Sequence, residues 1–193
     1  TVGLENVTNY THFAMDNTLL GTDSTSTNPN DYSRNVCVRQ YGKNVQVFSA
    51  MLEQNFKLGP VHWDNEVTYQ KSSNQRVLPL PQLNVYTNLY LLFRVAKVLR
   101  VQLGGDMRYY TSYYAPDDSP SIGQFATQDE SFSRIKIGNY PIINVYANLH
   151  LKNCRIYVGV NHVNAGSGHA FWAPHYAINP LTFRFGLSWN FFN

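Results

Sequence analysis

Residues 83–94 read Leu83-Asn84-Val85-Tyr86-Thr87-Asn88-Leu89-Tyr90-Leu91-Leu92-Phe93-Arg94. Leu83, Val85, Leu89, Leu91 and Phe93 fall on one side of a period of two, and Asn84, Tyr86, Asn88, Tyr90 and Arg94 on the other. Successive side chains of an extended chain point to opposite faces, so this spacing predicts a strand with one apolar and one polar face. Wound as a helix, the same apolar set would scatter around the whole cylinder. At 143–151 the pattern returns as Ile143-Asn144-Val145-Tyr146-Ala147-Asn148-Leu149-His150-Leu151. Each copy leads into a return strand that opens with an arginine, Arg100 or Arg155. Duplication of one hairpin produces such an echo, and so does chance convergence on a strand pattern.

The same rhythm extends to both sides. Val101, Leu103, Met107 and Tyr109 alternate with Gln102, Gly104, Asp106 and Arg108, and Ile156, Val158 and Val160 alternate with Arg155, Tyr157 and Asn161. Leu181, Phe183, Phe185, Leu187, Trp189 and Phe191 alternate with Thr182, Arg184, Ser188 and Asn190. Upstream, Phe48, Ala50, Leu52, Phe56 and Leu58 share a face, as do Val61, Trp63, Val67 and Tyr69. A further strand over residues 2–13 completes a set of eight. Tight turns at Leu58-Gly59-Pro60, at 96–99 and at 152–154 alternate with long polar connections at 15–35, 72–82, 113–140 and 163–180. Short turns on one side and long loops on the other describe an antiparallel up-and-down transmembrane β-barrel, an all-β fold.

Composition narrows the alternatives. Of 193 residues, 44% are apolar, 15% aromatic and only 14% charged, against ~25% charged in ordinary soluble domains. The mean hydropathy is nonetheless slightly negative, at −0.32, because Tyr and Asn stand where charges usually do. No run of ~18 apolar residues exists for a membrane-crossing helix. Disorder calls for few aromatics and much net charge, the reverse of this chain. The 15 Lys and Arg are scattered singly and the net charge is +3, so no nucleic-acid partner is expected. The chain opens at Thr1 with no signal peptide, which suits a processed form or a piece of something longer. Residues 1–193 are expected to form one barrel domain or its C-terminal portion.

A soluble sandwich also alternates, but its outward positions should be rich in Lys, Glu and Thr. Here the polar faces carry Asn, Gln, Gly, Tyr and single charges. Trp63, Tyr69, Tyr109, Tyr110, Tyr113, Tyr114 and Trp189 lie towards strand ends, as in the aromatic girdles of membrane barrels. Trp189, Phe191 and Phe192 close the last strand and resemble a C-terminal signal for the barrel assembly machinery. Outer-membrane lipid and that machinery are therefore the expected partners, and the bacterial outer membrane the expected location.

Several longer motifs resemble one family. Gly-Pro-Val-His-Trp-Asp-Asn-Glu-Val-Thr-Tyr-Gln at 59–70, Val-Leu-Pro-Leu-Pro-Gln-Leu-Asn-Val-Tyr at 77–86 and Tyr-Tyr-Ala-Pro at 113–116 belong to the set. So do Ile-Gly-Asn-Tyr-Pro at 137–141 and Asn-Pro-Leu-Thr-Phe-Arg-Phe-Gly-Leu-Ser-Trp-Asn-Phe-Phe at 179–192. Together they resemble the C-terminal part of the putative porins of Bacteroidetes outer membranes. The resemblance implies a barrel passing small hydrophilic solutes. Members are usually several times longer, which implies that these strands are the last of a larger barrel. Eight strands closed on themselves leave an interior filled by side chains. Conduction then calls for strands from elsewhere in the polypeptide or from another subunit. The alternatives are a non-conducting barrel that scaffolds envelope proteins and a soluble ligand-binding sandwich.

On this reading the inward face carries Glu53, Lys57, Asp64, Glu66, Arg94, Asp106, Arg108, Arg155 and Arg184. Opposite charges inside a barrel set up a transverse field that tunes ion selectivity, or form ion pairs that prop the wall. The loop at 163–180 offers His169, Trp172 and His175 as ligand-contact candidates. The spacing of its histidines fits no compact metal motif, so neither metal nor cofactor is expected. No Gly-x-Ser-x-Gly elbow occurs, and Gly166-Ser167-Gly168-His169 is too generic to stand in for one; no catalytic residue is expected. Cys37 and Cys154 are placed at opposite ends of their strands, too far apart for a disulfide.

Overall fold

The computed structural model describes residues 1–19, 32–129, 134–168 and 171–191, with backbone alone at 17–19 and 32–35. The strands are β1 (Val2–Val7), β2 (Tyr10–Leu19), β3 (Tyr32–Tyr41), β4 (Val45–Leu58), β5 (Val61–Ser72), β6 (Leu83–Val95) and β7 (Leu99–Tyr110). Then come β8 (Asp117–Ser119), β9 (Gln124–Ala126), β10 (Ile142–Leu151), β11 (Cys154–Asn161), β12 (Phe171–Ala173), β13 (Tyr176–Ala177) and β14 (Thr182–Trp189). Among the described residues there is no helix.

One eight-stranded antiparallel sheet dominates, in the order β1-β4-β5-β6-β7-β10-β11-β14. The β4–β5, β6–β7 and β10–β11 connections are the tight turns expected. Gly59 takes φ +57° ahead of Pro60, and Ala96, Lys97 and Lys152 adopt the same left-handed region without being glycine. Such turns match the right-handed twist of the strands they join.

The expected first strand is two strands. β1 pairs with the start of β4, Val2 opposite Ala50 and Val7 opposite Val45. β2 instead pairs with β3, from Tyr10 opposite Tyr41 to Leu19 opposite Tyr32. Asn9, at φ +56°, breaks the run, and residues 42–44 break the partner strand at the same level. The expected loop at 15–35 is therefore partly a hairpin that leaves the sheet at a bend. Cys37, placed by the sequence on a sheet strand, lies on β3, where its thiol approaches the Ala14 carbonyl at 3.6 Å. Cys154 opens β11, and both cysteines are free.

The two faces differ sharply. Register puts Phe56, Trp63 and Leu89 on one face, and Phe183, Phe185, Leu187 and Trp189 of β14 extend it beside β11. Phe185 is 65% exposed and no second sheet covers this side among the described residues. That is the opposite of a soluble sandwich, whose apolar face is its core. Apart from Val101, opposite Phe93 and Leu149 on this face, the buried apolar side chains of the sheet lie elsewhere. Val45 and Val47 of β4, Ile142 of β10, and Val77, Ala115, Ala126, Ile137 and Ala173 of the connections are buried at the loop end.

The sheet is not closed. β1 and β14 each have one neighbour, and beyond the reach of β1 the far half of β4 is paired with β5 alone among the described residues. What is present is an open antiparallel sheet with two margins, where the sequence led to the expectation of a closed barrel.

Candidate functional site

The polar face of the sheet is the candidate site. Its cross-strand rows follow directly from register. The charged residues singled out by alternation all lie on it: Glu53, Lys57, Asp64, Glu66, Arg94, Asp106, Arg108, Arg155 and Arg184. Their distribution is uneven. Acids predominate on β1 to β5, with Glu5, Glu53, Asp64 and Glu66 against Lys57. Arginines predominate from β6 to β14, with Arg94, Arg100, Arg108, Arg155 and Arg184 against Asp106. No ion pair among the described residues joins the two groups.

Across the middle runs a row that alternates amide and acid: Asn55, Asp64, Asn88, Asp106 and Asn144. The Asn144 amide donates to Asp106 Oδ1 at 2.9 Å. Its own side-chain oxygen accepts from the His162 backbone at 3.0 Å. The Tyr146 hydroxyl donates to Asn88 Oδ1 at 2.9 Å, and Asn148 donates to Gln102 at 3.1 Å. Alternation along one strand shows that these positions are polar. Only the offset between strands shows that they form a row.

The next row towards the short turns is His62, Tyr90, Gly104, Tyr146 and Gly159. His62 and Tyr90 stack with centroids 4.8 Å apart and planes within 8°. A Cβ on Gly104 would stand 2.6 Å from Tyr90 Cβ and 2.8 Å from Tyr146 Cζ. The missing side chain is what lets the Tyr146 ring lie down against the sheet. At the short-turn rim Arg94, Arg100, His150 and Arg155 stand directly opposite one another across four strands. Arg184, further along β14, is held by Asn161, whose amide oxygen accepts from Nε at 2.9 Å and Nη2 at 3.0 Å in the orientation that satisfies both groups.

The loop end of this face is built over. Tyr113 and Ile137 exchange backbone hydrogen bonds at 3.0 and 3.1 Å. The Gln128 amide clasps the Ala115 and Ile135 carbonyls at 2.7 and 2.8 Å. Burial pushes the Tyr113 hydroxyl above its ordinary range. His175, on the β12–β13 hairpin, approaches Asp117 of β8 at 3.1 Å and ties the two long loops together. His162 is 6% exposed. Its Nδ1 donates to the Asn179 carbonyl at 2.7 Å, while Nε2 lies 2.9 Å from the Tyr140 hydroxyl. Of the described histidines here, His162 and His175 thus serve separate contacts. Trp172 leans over the polar face, while His169 falls outside the described residues.

Of the proposed C-terminal signal, Trp189 and Phe191 are exposed, Phe191 at 84%, with Trp189 on the apolar face. Phe192 lies outside the described residues. No curated protein and no solved structure matches the chain. A family model described as putative porin matches residues 1–193. With an exposed apolar face, a charged polar face and a match over its whole length, the chain belongs to the putative porin family.

Proposed function

We propose that the chain forms part of the wall of an outer-membrane diffusion channel for small hydrophilic solutes. The apolar face meets lipid, the polar face lines a water-filled path, and the long loops stand on the outside. One observation carries this reading: all nine charged residues singled out by alternation lie on the face opposite the exposed Phe, Leu and Trp side chains, and Lys71, paired with Phe48 at the loop end of β5, is a charge on the other face. In lipid an exposed charge costs several kcal/mol near the midplane, whereas in a water-filled path it costs little. The separation of acids on β1 to β5 from arginines on β6 to β14 sets a field across the path, which orients dipolar solutes as they pass.

A second reading is a closed barrel that holds envelope proteins, possible partners being a further copy of the chain or another envelope component. The loop layer over one end of the polar face favours it. Planar-bilayer recording separates the two. Stepwise conductance supports the channel, and its absence from correctly folded, heat-modifiable protein overturns it in favour of the scaffold. An Arg184→Ala variant with shifted reversal potential supports the polar face as the conducting one.

A further inference from the structure

Under the loop layer the polar face holds a cavity of about 610 Å3, lined by Glu66, Asn84, Tyr86, Arg108, Tyr110 and Trp172 among others. This volume falls within the range of small-molecule sites, roughly 300–1,000 Å3. Glu66, Tyr86 and Arg108 are direct neighbours in one row, and Asn84 and Tyr110 are neighbours in the next. Strands lie about 4.8 Å apart, so the Glu66 and Arg108 backbones are roughly 10 Å apart, with Tyr86 between them. Arg108 leans over the Tyr86 ring, 5.5 Å from its centroid, and no ion pair among the described residues joins it to Glu66. The Tyr110 hydroxyl donates to the Phe171 carbonyl at 3.2 Å, which fixes the start of β12 and sets Trp172 over the cavity. Trp172 remains 57% exposed.

We infer that this cavity is a binding site for neutral sugars, at the entrance to the path proposed above. The chemistry follows from what each wall offers. A carboxylate only accepts hydrogen bonds, a guanidinium only donates them and an amide does both. A hydroxyl donates and accepts at once, so neighbouring hydroxyls of one ring satisfy all three. The two opposite charges, though not in contact, leave the cavity without net charge, so it does not select for a net-charged solute. The exposed Trp172 indole presents a flat apolar surface, which suits the C–H face of a pyranose ring. A zwitterionic dipeptide is the competing ligand. Its termini match Glu66 and Arg108, but its side chain calls for an enclosed apolar pocket, whereas Trp172 offers an open plate.

The inference rests on the channel reading for the role of the site, so its test uses binding rather than current. The folded full chain in detergent micelles is titrated calorimetrically with glucose, maltose, cellobiose and xylobiose, and separately with glycyl-leucine. Saturable binding of at least one sugar is expected, weakened about tenfold or more in both Trp172→Ala and Arg108→Lys. Trp172 is an exposed loop residue, so its variant tests the site without threatening the fold. No sugar binding by wild type, equal binding by both variants, or stronger binding of the dipeptide overturns the inference. Sugar binding without conductance removes the channel reading alone, and conductance without sugar binding removes this one alone.

Discussion

Arg94 stands directly opposite Arg100 in the β6–β7 hairpin. The row continues through His150 to Arg155 without an intervening acid. Like groups placed opposite one another across a ladder destabilise the pair. A sheet that keeps them accepts that cost, and a water-filled rim that attracts small anions is the role the channel reading gives them.

Substituting Arg94→Glu places an acid opposite Arg100. Stability should rise by about 0.2–1 kcal/mol, from relief of repulsion and gain of an opposite-charge pair. In a salt gradient the reversal potential should move towards cation preference. A reversal potential unchanged from wild type removes this rim from the conducting path.

Gly104 and Gly186 make a matched pair for testing the flat tyrosine layer. A Cβ at Gly104 meets Tyr90 and Tyr146 at 2.6 and 2.8 Å, whereas at Gly186 the nearest atoms are at 4.0 Å. Gly104→Ala should lower the urea midpoint by the equivalent of about 1–3 kcal/mol. It should also reduce single-channel conductance as the rings are lifted from the sheet. Gly186→Ala should do neither, and equal effects at both positions would show that backbone freedom, not ring contact, is what matters.

His162→Ala removes a buried imidazole and leaves the Asn179 carbonyl and Tyr140 hydroxyl without that partner. The expected loss is about 1–3 kcal/mol, read as a lower temperature of the heat-modifiability shift. Proteolysis should increase first at 163–180, because His162 anchors the start of that loop. A variant as protease-resistant as wild type would contradict the anchoring role.

Burial holds the Tyr113 hydroxyl above its ordinary range. The folded state therefore binds this proton more tightly than the unfolded state. The resulting stability is fully present below the unfolded value, near ~10, and is lost as pH rises through the folded one. Titrated by tyrosinate absorbance, the difference between wild type and Tyr113→Phe should appear at higher pH than that of exposed tyrosines. A difference centred on the ordinary tyrosine range would contradict the burial.

The strands of the main sheet from β4 onward were legible because each is long enough to show several cycles of alternation. The polar-face charges were legible from parity alone. The Asn–Asp row was not, because register between strands depends on where each turn places its two arms, and no single strand records it. Val45, Val47 and Ile142 break the pattern, being apolar on the polar face. They pack beneath loops, so their polarity answers to tertiary cover rather than to water. The pairs β8–β9 and β12–β13 are too short to alternate at all, and the bend at Asn9 hides inside an otherwise continuous strand. Trp172 could be singled out as a loop aromatic, but its placement in the lining of the same cavity as Arg108 goes with the Tyr110–Phe171 hydrogen bond, which joins residues far apart in the chain.

The two free margins of the sheet have a kinetic consequence. Neighbours within the wall are also successive along the chain, apart from the small hairpins that interrupt them, so it can grow one hairpin at a time. Such hairpins form in about 1–10 μs. Pairing of the outer edge of β14 with β1, at the other margin, is by contrast a long-range encounter, with the loop-closure entropy that this entails. Such a pairing forms more slowly than the hairpins do. Substitutions along that edge of β14 should change its rate while leaving the hairpins unchanged.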